Sequence, residues 1–227
     1  MGCSHLYNAK GQGLKYKLSK IEDYVIDKKN NPYLSYNEAV KFGMTINDLF
    51  AQSMYTLPNR VVVHKRTPFK EEEIRGIVDS LSHTGITNID LISMIEENSI
   101  RGIDYYGGAY ISSRCSNYPI LRGSCVILSE NEFLLWTHGT ITGMHNNKNY
   151  YAGGRGIPAP LRVTKYYGQS NLDIISTEIL GLTKMNWNSF DFYTKFPATI
   201  DTSNTLAQVG NLLNNYNGIT YDYRYFI

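Results

Sequence analysis

The chain has 227 residues, enough for one large domain or two small ones, and its 42% hydrophobic and 19% charged residues are those of a soluble globular protein. No apolar run approaches the ~20 residues that span a bilayer, and Met1-Gly2-Cys3-Ser4-His5 offers neither a basic nor an apolar leader, so neither a membrane partner nor a secretory signal is expected. Cys3, Cys115 and Cys125 are irregularly spaced with no Cys-x-x-Cys pair, which argues against a disulfide framework or zinc ribbon and fits a reducing cytoplasm, while a net charge of +2 does not by itself announce a nucleic-acid binder.

Residues 2–8 and 14–21 read as two short strands around the turn Ala9-Lys10-Gly11-Gln12-Gly13. Residues 22–34, with Lys28, Lys29, Asn30, Asn31 and Pro32, read as a loop. Ser35 followed by Glu38 is a capping-box pattern, and a helix is predicted from there to about Tyr55, with Val40, Met44, Leu49 and Phe50 near helical spacing. Arg60-Val61-Val62-Val63-His64-Lys65 is the clearest strand, and its unbroken apolar run predicts burial on both faces. Glu71-Glu72-Glu73 suits the positive end of a helix that Ile74, Ile77, Val78 and Leu81 continue. Residues 86–96 form the next strand, and strand–helix–strand order implies parallel pairing across a helical crossover.

From 101 to 165 the pattern turns to β. Cys125 to Leu128, the turn Glu130-Asn131 and Phe133 to Thr137 read as a hairpin. Gly153, Gly154, Gly156, Pro158 and Pro160 form a loop, and Leu161 to Tyr167 is a further strand. Helices are predicted over about 171–185 and 203–215. With no repeat, low-complexity tract or linker, one α/β domain over 1–227 is the economical reading.

Several stretches resemble the PIWI domain of prokaryotic Argonautes, the short type above all. RVVVHKRTPFKEEEIRGI (60–77) is similar to the family's buried strand, His-Arg-Asp-Gly-like turn and acidic helix start. LRGSCVILSENEFLLWTHG (121–139), GIPAPLRV (156–163), EILGLTKMNWNSFDF (178–192), FPATI (196–200) and YRYFI (223–227) follow in the family's order and spacing. The resemblance covers nearly the whole chain and implies an RNase H-like α/β fold, a mixed central sheet flanked by helices. It also implies a MID domain that holds the guide's 5′ end, expected on a separate polypeptide or outside this sequence.

RNase H-type cleavage needs carboxylates that hold two divalent metals about 4 Å apart. The resemblance places one such Asp at Ser4, a second at Arg66, and a last Asp or His at Asn204, with Asp201 one turn short. With a hydroxyl, a guanidinium and an amide in those places, no catalytic residue is expected and the chain is not expected to be an enzyme. The alternative is a divergent RNase H-like guided endonuclease that uses other acids, such as Glu38, Asp90 or Asp104. Each of these also reads as a cap, strand-end or surface charge. His64 reads as a satisfied, partly buried histidine.

The resemblance implies that the chain holds a guide–target duplex, a guide RNA on a complementary DNA target. Lys and Arg, amides and backbone N–H groups would take the phosphates, and pairing with the guide would supply sequence. Candidate contacts are Lys65, Arg66, Arg122, Arg155, Arg162, Lys165, Lys184, Asn186 and Asn188. The carboxylate of Ile227 would reach the MID pocket and help hold Mg2+ against the guide's 5′ phosphate; the other reading is a chain end packed by Tyr225 and Phe226 without a metal. An associated APAZ-containing effector, of NADase or nuclease type, would carry the activity in defence against invading DNA.

Overall fold

The first two strands pair as their spacing suggests. β1 (Gly2–Tyr7) and β2 (Gly13–Ser19) run antiparallel, with Ser4 opposite Lys17. Asn8 closes the turn by accepting the backbone N–H groups of Lys10 and Gln12, and Gly11 takes the left-handed conformation (φ 75) that a side chain would resist. This computed structural model describes residues 2–8, 10–106, 114–141, 156–185, 193–210 and 220–222.

The segment read as a loop contains a small hairpin, β3 (Tyr24–Ile26) and β4 (Pro32–Leu34). Its organiser is Asp27. One carboxylate oxygen accepts from the N–H groups of Lys29 and Asn31, the other from the Asn31 amide and the Tyr33 hydroxyl. Those donors, the Asn31 backbone foremost, hold its carboxyl below the usual carboxylate range.

α1 (Tyr36–Met54) starts at Ser35, whose Oγ accepts from Glu38 N, and ends with Tyr55 in the left-handed region. Only half of the expected capping box forms, because the Glu38 carboxylate turns to Lys41 Nζ at 2.6 Å. β5 (Val61–Lys65), α2 (Glu71–His83) and β6 (Ile89–Glu96) make the expected crossover, with β5 and β6 parallel from Val61↔Ile89 to Lys65↔Ser93. α1 and α2 cross closely at Gly76, where an added Cβ would lie 2.6 Å from the Tyr36 carbonyl oxygen and 2.7 Å from Ala39 Cβ.

β7 (Ile103–Tyr106) and β8 (Arg114–Pro119) form an antiparallel pair. The hairpin β9 (Cys125–Ser129) and β10 (Glu132–Leu135) is followed by β11 (Leu161–Tyr167), α3 (Leu172–Leu182), α4 (Ala198–Gly210) and β12 (Thr220–Asp222). α4 begins five residues earlier than its apolar spacing suggests, because Ile200 N and Asp201 N already bond to the Pro197 carbonyl.

The central sheet is mixed. Its strand order is β5-β6-β11-β10-β9, and only β5 and β6 are parallel; β12 joins β2 and β1 in a second sheet. Alternation along β6 divides the core. Ile89 and Leu91 point with Val61 and Val63 toward α1 and α2, into a cluster with Ala39, Ile46, Phe69, Ile77 and Leu81. Ile92 and Met94 point the other way, toward Phe133, Leu135, Leu161 and Val163, and are covered by Ile175 and Ile179 of α3 and Ile200 of α4. Each such fully buried side chain contributes about 1.5–3 kcal/mol. The strand buried most completely on both faces is therefore β6 rather than β5, whose Val62 and His64 are only half-buried. No helix among the described residues is long and apolar enough to cross a membrane.

Candidate nucleic-acid interface

Three hydrogen bonds gather β1, β5 and α4 at one place. Tyr7, at the end of β1, places its hydroxyl 3.2 Å from the Ala198 carbonyl and 2.6 Å from Thr202 Oγ1. His64, near the end of β5, has Nδ1 2.8 Å from Thr199 Oγ1. These ties bring together the elements that carry Ser4, Arg66 and Asn204. Ser4 lies on β1, Arg66 immediately follows β5, and Asn204 is half-buried in the second turn of α4. The His64 imidazole is pushed down to about 4, by burial first and then by the charge of Arg60, so it stands neutral as a packed histidine.

Arg66 is exposed, and its guanidinium lies 4.7 Å over the Phe196 ring. Stacking of this kind steadies the planar group on the ring. Lys65 points the other way. Its Nζ lies 2.6 and 2.7 Å from the two oxygens of the buried Glu73 carboxylate and near the rings of Tyr33 and Phe69. Burial pushes its ammonium below the usual lysine value, although Glu73 opposes that.

The other described candidates differ in the same way. Arg122 reaches inward: Nη2 donates to the Leu180 carbonyl and Thr183 Oγ1, and the guanidinium stacks 4.8 Å from the Tyr193 ring. Burial lowers its pKa. Arg162 bridges Glu97 and Glu132, each at 3.0 Å, and the two carboxylates, Glu132 foremost, raise its pKa. Lys165 Nζ donates to the Ser170 carbonyl at 3.1 Å. Lys184 is exposed in the turn after α3. Arg155, Asn186, Asn188 and Ile227 lie outside the described residues.

The acids weighed for a divergent nuclease are placed as follows. Asp90 sits at the start of β6, one residue in, but it is fully buried rather than a surface charge, which corrects that part of the sequence reading. It accepts from Arg60 Nε at 2.7 Å and from Ser170 Oγ at 2.6 Å, while the two terminal nitrogens of Arg60 hold Glu178 across the gap to α3. Glu38 is buried against Lys41. Asp104 lies on β7, and its side chain is not described. Among the described residues no group of three or more His, Cys, Asp and Glu side chains is arranged to hold a metal ion.

Two side chains beside the candidates escaped the sequence reading. Phe196 stacks beneath Arg66, and Tyr193 stacks on Arg122 and bonds the Gly139 carbonyl. The only available signal was composition: 19 tyrosines and 8 phenylalanines, several next to cationic segments.

No protein-family model matches the chain. Among curated proteins it is similar to the Argonaute protein of Aquifex aeolicus (strain VF5), at 23% identity over 207 residues, 90% of this chain and 24% of the relative. A crystal structure of the A. aeolicus Argonaute superposes with a TM-score of 0.60 at 21% identity, over 96% of this chain and 26% of that one. The Clostridium butyricum Argonaute, bound to a guide DNA and a 19-mer target DNA, superposes with a TM-score of 0.69 at 15% identity, over 97% of this chain and 27% of that one. The chain thus spans about a quarter of the length of the relatives it matches. Over nearly all of its own length it has the mixed, helix-flanked sheet of the PIWI-like part of an Argonaute.

Proposed function

We propose that this chain is the PIWI portion of a short prokaryotic Argonaute, one that grips a guide–target duplex without cutting it. The observation that carries this reading is Arg66, an exposed guanidinium at the end of β5 stacked on Phe196, where the resemblance puts a metal-binding Asp. A fixed positive charge there repels divalent metal and attracts phosphate. Ser4 on β1 and Asn204 on α4, the helix that both β1 and β5 bond to, lack the negative charge a two-metal site requires.

Arg66 and Lys184 are the exposed cations among the described candidates and take phosphates directly; Arg155, Asn186 and Asn188 complete the set. Lys65, Arg122, Arg162 and Lys165 hold the turns and strands that present them. A guide RNA on a DNA target makes an A-like duplex that is read by shape, so base pairing supplies sequence. Magnesium enters this reading only at the guide's 5′ phosphate in a MID pocket, through the carboxylate of Ile227. Duplex formation then switches on an APAZ-containing effector, an NADase or a nuclease, in cytoplasmic defence against invading DNA.

The nuclease alternative gains nothing from Glu38 and Asp90, whose carboxylates are engaged by Lys41 and by Arg60 with Ser170. The test is a labelled DNA target with a 5′-phosphorylated guide RNA in Mg2+ or Mn2+. Binding that falls steeply with salt, with the target left intact, is expected. Cleavage abolished by alanine at Glu38, Asp90 or Asp104 would replace this reading.

A further inference from the structure

The far edge of the central sheet departs from the usual handling of edge strands. β9 has β10 as its only sheet neighbour among the described residues, so one row of its backbone N–H and C=O groups has no strand beside it. All five of its residues are exposed; Val126, Ile127 and Leu128 are 45%, 55% and 43% accessible. Folded proteins blunt such edges with charge, proline or a bulge. Cys125-Val126-Ile127-Leu128-Ser129 has no charge and no proline, and its irregularity is confined to the Ser129 end, leaving Cys125–Ile127 in regular pairing with Leu135, Leu134 and Phe133.

We propose that this edge is a self-association surface, on which β9 of a second copy of the chain pairs antiparallel and joins two five-stranded sheets across a two-fold axis. The argument for a second copy is complementarity. A strand without charge meets its own antiparallel image with no like charges opposed, and such an isologous contact closes at two subunits. The side chains that the edge itself presents are apolar. Cys125 and Ile127 lie on the face of Phe133 and Leu135, where Ile127 borders a groove of about 660 Å3 whose wall beyond it is mostly polar, with Glu130, Lys165 and Asp173 beside Leu172. Val126 lies on the opposite face, beside the buried Leu134. A five-residue edge covers less than the roughly 800 Å2 per partner of a standard stable interface, so the dimer is concentration-dependent rather than permanent.

The test is sedimentation velocity on the full chain from 1 to 100 µM, with amide hydrogen exchange at both ends of that range. A monomer–dimer equilibrium is expected, with exchange at residues 125–129 slowing as concentration rises. Ile127→Lys and, on the other face, Val126→Lys each put a charge on the edge and weaken association at least tenfold; because both sites are exposed, circular dichroism melts stay close to the wild type. A monomer throughout the range, or a dimer whose β9 amides gain no protection and which both lysine variants leave intact, overturns the proposal. So does β9 protection that appears only with a different protein bound.

Discussion

Lys65 and Glu73 close on each other beneath the turn that carries Arg66. The Lys65 ammonium lies 2.6 and 2.7 Å from the two Glu73 oxygens, and the same carboxylate accepts the backbone N–H groups of Leu34 and Lys70. One buried acid thus fixes the end of β5, the start of α2 and the β3–β4 hairpin. Two adjacent residues differ in their surroundings: Lys65, the last of β5, is turned inward onto Glu73, and Arg66, just beyond the strand, is exposed and is the proposed phosphate contact.

Lys65→Met and Arg66→Ala are therefore expected to separate stability from binding. Removing Lys65 leaves Glu73 buried without its cation, and breaking such a pair costs about 3–5 kcal/mol in urea unfolding. Losing the exposed Arg66 changes stability by less than about 0.5 kcal/mol. It should lower the salt slope of duplex affinity by about 0.9. A loss of slope in the Lys65 variant alone would reverse these roles.

Asp90→Ala should act on folding and not on metal. The side chain is fully buried, and its loss strands Arg60 between β6 and α3. A destabilisation of about 3–5 kcal/mol is expected by denaturant titration. Calorimetry with Mn2+ should give the same trace for the variant and the wild type.

His64 sets a pH dependence. Its folded value of about 4 lies below the ordinary 6.5, so the unfolded chain takes up the proton first as pH falls. Stability contributed by the neutral ring is complete above about pH 6.5 and is lost on the way down to about pH 4, by on the order of 3 kcal/mol. His64→Gln should flatten thermal stability across that window.

Gly76→Ala tests the crossing of α1 and α2. Its Cβ would meet the Tyr36 carbonyl, which the helix cannot move without giving up its own bonding. The helix-propensity gain of about 1 kcal/mol is outweighed, and a net loss of about 1–3 kcal/mol is expected from chemical unfolding.

Much of this architecture was legible because it is local. The Ser35 cap, the apolar run of β5, the acidic start of α2 and the Glu130-Asn131 turn each announce themselves within a few residues. The β3–β4 hairpin does not. Its strands are three residues long, and their support comes from Asp27 inside the turn and from Glu73, 39 residues beyond Leu34. The start of α4 was obscured by Thr199, Asp201, Thr202 and Ser203, poor helix formers in isolation; here Thr202 and Ser203 return their hydroxyls to the carbonyls of Ala198 and Thr199.

The candidate site was legible in residue type but not in direction. Nothing near Arg162 in sequence reveals Glu97, 65 residues away, and nothing near Arg122 reveals Thr183, 61 residues away. Likewise Arg60 and Asp90 look like two unrelated charges until β5 and β6 pair and α3 brings Glu178 over them.

The tie between Tyr7 and the first turn of α4 also bears on how the chain matures. Its partners, Ala198 and Thr202, lie 191 and 195 residues downstream, and β2 receives β12 from still later in the chain. A nascent polypeptide emerging from the ribosome can build the β5–α2–β6 crossover early, but the β1–β2 hairpin must wait for α4 and β12 before it can dock. The element holding Ser4 is thus completed late, so a product truncated before α4 keeps the strands of the central sheet while β1 lacks a berth.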